Sequence, residues 1–181
     1  MDKKELRAEM RAQPLVEPEQ NRLVVEALFT WLSARMPGTA SAFLAMPGEV
    51  DVSPLFTRLP GWRWVLPRVE EDGPMTFRDR DLPRETHRLG MEQPTGSGPA
   101  IPVHEIDVFL TPGLAFDRSG GRLGKGRGFY DRVLAQMRSD ALAVGVTVTS
   151  RVVDEVPMRA HDRPMDLVAT EDGVILCSTS R

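Results

Sequence analysis

Glycine alternates with cations in Gly120-Gly121-Arg122-Leu123-Gly124-Lys125-Gly126-Arg127-Gly128. Glycines let a backbone approach a phosphate closely and turn its N–H groups inward. Arg122, Lys125 and Arg127 add full positive charges. A helix predicted to begin near Phe129 would add its positive dipole end. Together these groups suit a polyphosphate. The spacing is not that of a Walker A loop, because Gly126 follows Lys125 where that motif needs Ser or Thr for the metal. It is not the dinucleotide fingerprint either. On residue types alone, a flexible basic surface loop fits as well as a phosphate cradle.

Other residues could take part. Lys3, Arg7 and Arg11 are spaced i, i+4, i+8 and share one helix face, either as ligands or as an ordinary solvated charge stripe. Glu49 follows Pro47-Gly48 just after a predicted strand, where open α/β sheets bind ligands. It could accept hydrogen bonds from ring N–H and amino donors, or be an exposed turn acid. Asp131 falls in the first turn of the predicted helix, where an acid stabilises the helix without any ligand. It would equally be placed to hold Mg²⁺ beside a phosphate. Asp162 precedes Pro164 and reads as a turn acid. His87, His104 and His161 show no metal-ligand spacing, and neither they nor Cys177 form a nucleophile–base pair. Trp31, Trp62 and Trp64 read as packing residues, and Tyr130 as part of a helix stripe.

The segment from Pro112 to Asp131 resembles the signature of the 5-formyltetrahydrofolate cyclo-ligase family, approximately PGLAFD-x-x-G-x-RLG-x-G-x-G-YYD. Phe129 stands in place of the first Tyr. The resemblance extends to Lys3 and Arg7, to Met46-Pro47-Gly48-Glu49-Val50-Asp51, to Leu66-Pro67-Arg68, and from Val156-Pro157 through Asp162 to Thr170-Glu171. Residues 69–104 match poorly.

The resemblance implies an ATP- and Mg²⁺-dependent enzyme that converts 5-formyltetrahydrofolate, polyglutamylated or not, to 5,10-methenyltetrahydrofolate. ADP and phosphate would be released through a phosphorylated formyl intermediate. It assigns ATP to Lys3, Arg7, Arg122, Leu123, Gly124, Lys125, Gly126, Arg127, Gly128, Phe129 and Tyr130. Folate falls to Leu44, Glu49 and the stretch Lys125 to Phe129, and Mg²⁺ to Asp131 and Asp162. Arg122, Lys125 and Arg127 become the catalytic phosphate clamps. No protein nucleophile is needed, since the substrate oxygen attacks. A catalytically silent nucleotide- or folate-binding homologue is the competing expectation, and an NAD-type oxidoreductase stands further behind.

The elements that must position these residues follow from periodicity. Leu6 and Met10 predict a helix from about residue 2, and Val24, Ala27, Leu28, Trp31 and Leu32 a second that Pro37-Gly38 stops. Continuous apolar runs at Ala40–Met46, Ile106–Leu110 and Ala141–Val148 predict buried parallel strands. Further strands are expected at 63–66, 75–77 and 174–176, and a short helix at 52–59. Residues 83–102, rich in Pro, Gly and Ser, read as a surface loop. Tyr130, Val133, Leu134 and Met137 predict a helix after the glycine loop. This alternation gives an α/β fold with a largely parallel sheet flanked by helices. The resemblance makes it Rossmann-like, of the ribose-phosphate isomerase and CoA-transferase group.

The 181 residues fit one domain, 1–181, large enough for a core without staples. A net charge of -3 argues against a nucleic-acid partner and against an electrostatic membrane partner. One cysteine allows neither an intrachain disulfide nor a cysteine-based zinc site. No apolar run approaches about 20 residues, and the charged start lacks an apolar signal segment, so a cytoplasmic location is expected. A monomer is the expected working unit, with a homo-oligomer left open.

Overall fold

The computed structural model describes residues 2–71, 73–159 and 162–178. Its chain order is α1 (Lys3–Ala12), α2 (Pro18–Ser33), β1 (Thr39–Ser41), α3 (Pro54–Arg58), β2 (Arg63–Val69), β3 (Met75–Asp79), β4 (Arg84–Thr86), β5 (Glu92–Pro94), β6 (Val108–Pro112), β7 (Ala115–Asp117), β8 (Arg122–Leu123), α4 (Phe129–Leu134), β9 (Leu142–Val146), β10 (Val152–Val153), β11 (Leu167–Thr170) and β12 (Gly173–Leu176).

The main sheet has seven strands in the order β12-β11-β9-β6-β1-β2-β3. The inner strands, from β11 through β2, run parallel, whereas β12 and β3 pair antiparallel at the edges. Parallel strands covered on both faces read as unbroken apolar runs. Accordingly, residues 108–111 of β6 and all of β11 are buried, while the edge strand β12 is partly exposed. From β1 the chain passes first to β2 on one side and then to β6 on the other. Connections therefore diverge between β1 and β6, and in open α/β sheets the crevice at the carboxyl ends of such strands is where ligands bind. Val24, Leu28 and Leu32 of α2 cover one face, together with Leu55 and Phe56 of α3. Val133 and Leu134 of α4 join Phe77, Phe109 and Phe116 on the other.

Helix α1 starts with a reciprocal cap. The Asp2 carboxylate accepts from Lys4 N and Glu5 N, and the Glu5 carboxylate accepts from Asp2 N. Such a box satisfies donors that a helix start otherwise leaves orphaned. Leu6 and Met10 then dock α1 against Ala115, Leu123 and Val156.

Several predicted boundaries are corrected. The 40–46 run yields a ladder only over Thr39–Ser41, because the chain leaves the sheet to reach the turn at Met46–Glu49. The strand expected at 106–110 lies at Val108–Pro112. The surface loop expected at 83–102 contains an antiparallel hairpin, β4 with β5. The stretch between β6 and α4, which includes the glycine-rich segment, contains β7 and β8, which with β10 form a small sheet. The parallel strand β11 was not anticipated. The helix after the glycine loop is six residues long, and Met137 packs just beyond it. Among the described residues, no helix is long and apolar enough to cross a membrane.

Candidate active site

A cavity of about 380 Å³ opens at the divergence of β1 and β6. Its polar wall is the glycine loop, with Arg122, Gly124, Lys125, Gly126, Arg127, Gly128 and Asp131. Gly126 and Gly128 hold φ of 102° and 67°, in the left-handed region where a side chain would be strained. The loop shape therefore depends on glycine at both positions.

Arg122 does not sit on an exposed loop, contrary to expectation. Its side chain is 5% exposed and donates to Asp131 Oδ1 at 2.5 Å and to the Pro112 carbonyl at 3.2 Å. It is thus fixed between the end of β6 and α4. Arg127 is exposed, lines the cavity, and makes no hydrogen bond or ion pair among the described residues. Lys125 Nζ lies 2.6 Å from Glu49 Oε1, which joins the glycine loop to the turn after β1. The other Glu49 oxygen accepts from Met46 N at 2.9 Å, so the carboxylate is held on its own turn. Carboxylate oxygens retain further acceptor sites after two such bonds.

The apolar lining includes Phe43, Leu44, Pro67, Val69, Met75, Leu89, Met91 and Phe129. Leu89 and Met91 belong to the β4–β5 hairpin region, which no local pattern places at this cavity. Gln93 docks this hairpin on β2, because its amide accepts from Val69 N at 3.0 Å and donates back to the Val69 carbonyl. Arg68 reinforces the docking by donating to the Pro94 carbonyl and pairing with Glu85 and Glu70. Burial disfavours the charged Glu70 carboxylate. Hydrogen bonds from Arg78, Thr76 and Arg68 outweigh that cost and hold its pKa at about 2.

Tyr130 also lines the cavity. Its hydroxyl is buried without a partner among the described residues, and Arg122 Cζ sits 5.5 Å from its ring centroid. Burial, with Glu49 nearby, pushes the phenol well above its ordinary pKa, so it remains a neutral donor. An orphaned buried donor at a cavity wall suits a ligand oxygen.

The N-terminal cations divide. Arg7 Nε donates to the Gly124 carbonyl at 2.9 Å and its guanidinium lies against Gly126. Lys3 Nζ pairs with Asp162 at 2.7 Å. Arg11, which by position reads as a solvated helix cation and which the resemblance does not assign to a ligand, lines the cavity. Leu123 is fully buried beneath α1 and contributes no lining, so its side chain anchors rather than contacts. Asp162 also lies outside the lining and accepts from Arg159 N as well as Lys3. Asp131 and Asp162 are thus held by different cations, and no cluster of three or more His, Cys, Asp or Glu suited to a metal occurs among the described residues. His161 lies outside the described residues. Trp62 and Trp64 are core residues, and Trp31 packs against the same core.

Residues 2–171 match the 5-formyltetrahydrofolate cyclo-ligase family. The chain belongs to that family. Among relatives, the 5-formyltetrahydrofolate cyclo-ligase of Mycolicibacterium smegmatis is 34% identical over 157 residues, 80% of each chain. That of Escherichia coli (strain K12) is 30% identical over 169 residues, 89% of this chain and 93% of its own. The solution structure of Aquifex aeolicus 5,10-methenyltetrahydrofolate synthetase superposes with a TM-score of 0.80 at 30% identity, covering 100% of this chain and 95% of that one. The Mycoplasma pneumoniae synthetase, at 23% identity and a TM-score of 0.75, supports the fold. The chain is therefore an enzyme with folate cyclo-ligase activity, and the silent-homologue and oxidoreductase expectations are set aside.

Proposed function

We propose that this single-domain enzyme closes 5-formyltetrahydrofolate to 5,10-methenyltetrahydrofolate at the expense of ATP. The observation that carries this reading is one cavity with two unlike walls, a basic glycine loop facing an apolar surface, bridged by Lys125 and Glu49. Phosphates belong against the glycine loop, with Arg7, Arg11, Arg122 and Arg127 as counter-charges. The pterin and its aryl group belong against Leu44, Met75 and Met91, with Glu49 accepting from ring N–H and amino donors.

The formyl oxygen attacks the γ-phosphorus of ATP, the bond to the bridging oxygen breaks, and ADP leaves. N10 then attacks the activated formyl carbon. The C–O bond breaks, phosphate departs with that oxygen, and N10 loses its proton to complete the methenyl bridge. The protein supplies position and charge neutralisation, as is usual in phosphoryl transfer. Arg127 and Arg122 face the phosphate oxygens, and Tyr130 donates a hydrogen bond from the buried side.

Asp131 fits Mg²⁺, which commonly takes one or two carboxylates with phosphate oxygens and water. Its carboxylate lines the cavity beside Arg122 and keeps one oxygen outside that pair. The metal would neutralise phosphate charge there. Asp162 fits better as an anchor for Lys3, which would leave Asp131 as this chain's metal ligand.

Stoichiometry tests the reading. One ADP should appear for each methenyl product, followed by absorbance, and none without the folate. Undiminished product in EDTA would remove the metal, and product without ADP would remove ATP.

Glu49→Gln tests the folate assignment. Losing a charge-assisted acceptor should cost roughly 1.5–3 kcal/mol of folate affinity, about ten- to a hundredfold or slightly more. Nucleotide affinity should change little. Calorimetric titration of each ligand separates the two, and unchanged folate affinity would return Glu49 to a structural turn acid paired with Lys125.

A further inference from the structure

Arg151 lies outside the cavity lining, at the end of a 3-10 turn, Thr149–Arg151, that follows β9. It is 7% exposed, and among the described residues no carboxylate forms an ion pair with it. Its guanidinium donates instead to two main-chain carbonyls. Nη1 bonds the Gly48 carbonyl, and Nη2 bonds the Pro14 carbonyl at 3.1 Å. Nε is buried with no partner among those residues. Burying a cation without a counter-ion is costly, and a methionine of similar length would avoid that cost.

The two carbonyls belong to segments that each adjoin residues lining the cavity, Arg11 in one case and Met46 and Glu49 in the other. Pro14 lies in the link between α1, which carries Arg7 and Arg11, and α2. Gly48 belongs to the turn that presents Glu49 and holds φ of 84°. A Cβ at Gly48 would meet Arg151 Nη2 and Leu15 Cδ2, each at 3.4 Å, so turn, link and guanidinium pack as one unit.

We infer that Arg151 is a positioning residue for folate, a buried staple that holds the Glu49 turn against the link between α1 and α2. It touches no reacting group and acts through Glu49, so the inference rests on the folate role proposed for that carboxylate. Burial holds the guanidinium pKa below its ordinary value, and the Glu49 charge opposes that only in part. The α1 helix has its own anchor in Leu6 and Met10, so nucleotide binding should depend little on the staple.

Arg151→Met and Arg151→Lys test this in the full chain. Arg151→Met should raise the KM for 5-formyltetrahydrofolate on the order of tenfold, as expected for a lost charged hydrogen bond, with kcat and the KM for ATP within about twofold. Arg151→Lys, which keeps the charge and a donor, should recover part of the loss and guards against a methionine variant that does not fold. Hydrogen exchange on the ligand-free protein provides the separate readout. The Glu49 amide, which donates to the Met46 carbonyl at 2.9 Å, should lose protection in Arg151→Met while β6 and β9 keep theirs. Protection and folate KM both unchanged would overturn the staple. Protection lost evenly across the sheet, with kcat falling and KM constant, would make Arg151 a plain stability residue. Loosening confined to the turn with unchanged folate KM would support the staple and overturn the folate role of Glu49.

Discussion

Arg127→Ala should slow turnover by about a hundred- to thousandfold and melt with the wild-type protein. The guanidinium is exposed and makes no hydrogen bond or ion pair among the described residues, so truncation deletes no fold contact. Substitutions at such sites usually change stability by no more than about 0.5 kcal/mol. Its position on the cavity wall is where charge must be neutralised as the γ-phosphoryl moves. By analogy with removing one preorganised oxyanion donor, the loss is about 2.7–4 kcal/mol in the transition state. Thermal unfolding beside ADP-release kinetics measures both quantities. Wild-type turnover in a normally melting Arg127→Ala would mean that the glycine loop does not clamp phosphate.

Arg122→Ala should lose comparable activity and also destabilise the fold, unlike the expectation for an exposed loop arginine. Truncation strips the Pro112 carbonyl of a donor and leaves Asp131 without its cation. Breaking a buried pair can cost about 3–5 kcal/mol. Asp131 is 37% exposed, so water recovers part of that, and about 1–3 kcal/mol is the reasonable range. For a chain of this length that is roughly 2–12 °C in Tm. Arg122→Lys restores charge without the planar fork, so it should regain stability more than rate. A variant that melts normally but is inactive would assign Arg122 to ligand alone. One that melts low but turns over normally below its Tm would remove it from the phosphate site.

The glycine loop was legible because its geometry is written in residue identity. Gly126 and Gly128 occupy backbone regions open chiefly to glycine, whereas the cations beside them fit a solvated loop as well as a phosphate cradle until the resemblance across Pro112 to Asp131 is weighed. The place of Glu49 was legible from chain order, as a turn residue after a strand in an α/β alternation, while its folate role came only from the resemblance. What local pattern could not supply was pairing across distance. Arg84-Glu85-Thr86 is an exposed polar triplet, and β5 ends in Pro94, so nothing local marks a hairpin. That hairpin is held by Arg68 and Gln93, whose partners lie elsewhere in the chain. The four-residue strand β11 was too short for periodicity to register. The burial of Arg122 and Arg151 was invisible for the same reason, since a guanidinium bonded to distant carbonyls carries no motif. Arg11 looked like any solvated helix cation until α1 was placed beside the loop.

The pairing of β1 with β6 also bears on how the chain reaches its native state. Thr39–Ser41 is a three-residue strand, and its register with β6 matches Ala40 to Val108 and Ser41 to Phe109. The turn bearing Glu49 and the loop bearing Arg122 therefore face each other only after segments far apart in sequence have docked. Closing so long a loop is slow, because its entropy is lost before the contacts form. A species structured only locally would lack one wall of the cavity. Ligands that need both walls then act late, lowering the energy of the finished fold while leaving the search for it unaided.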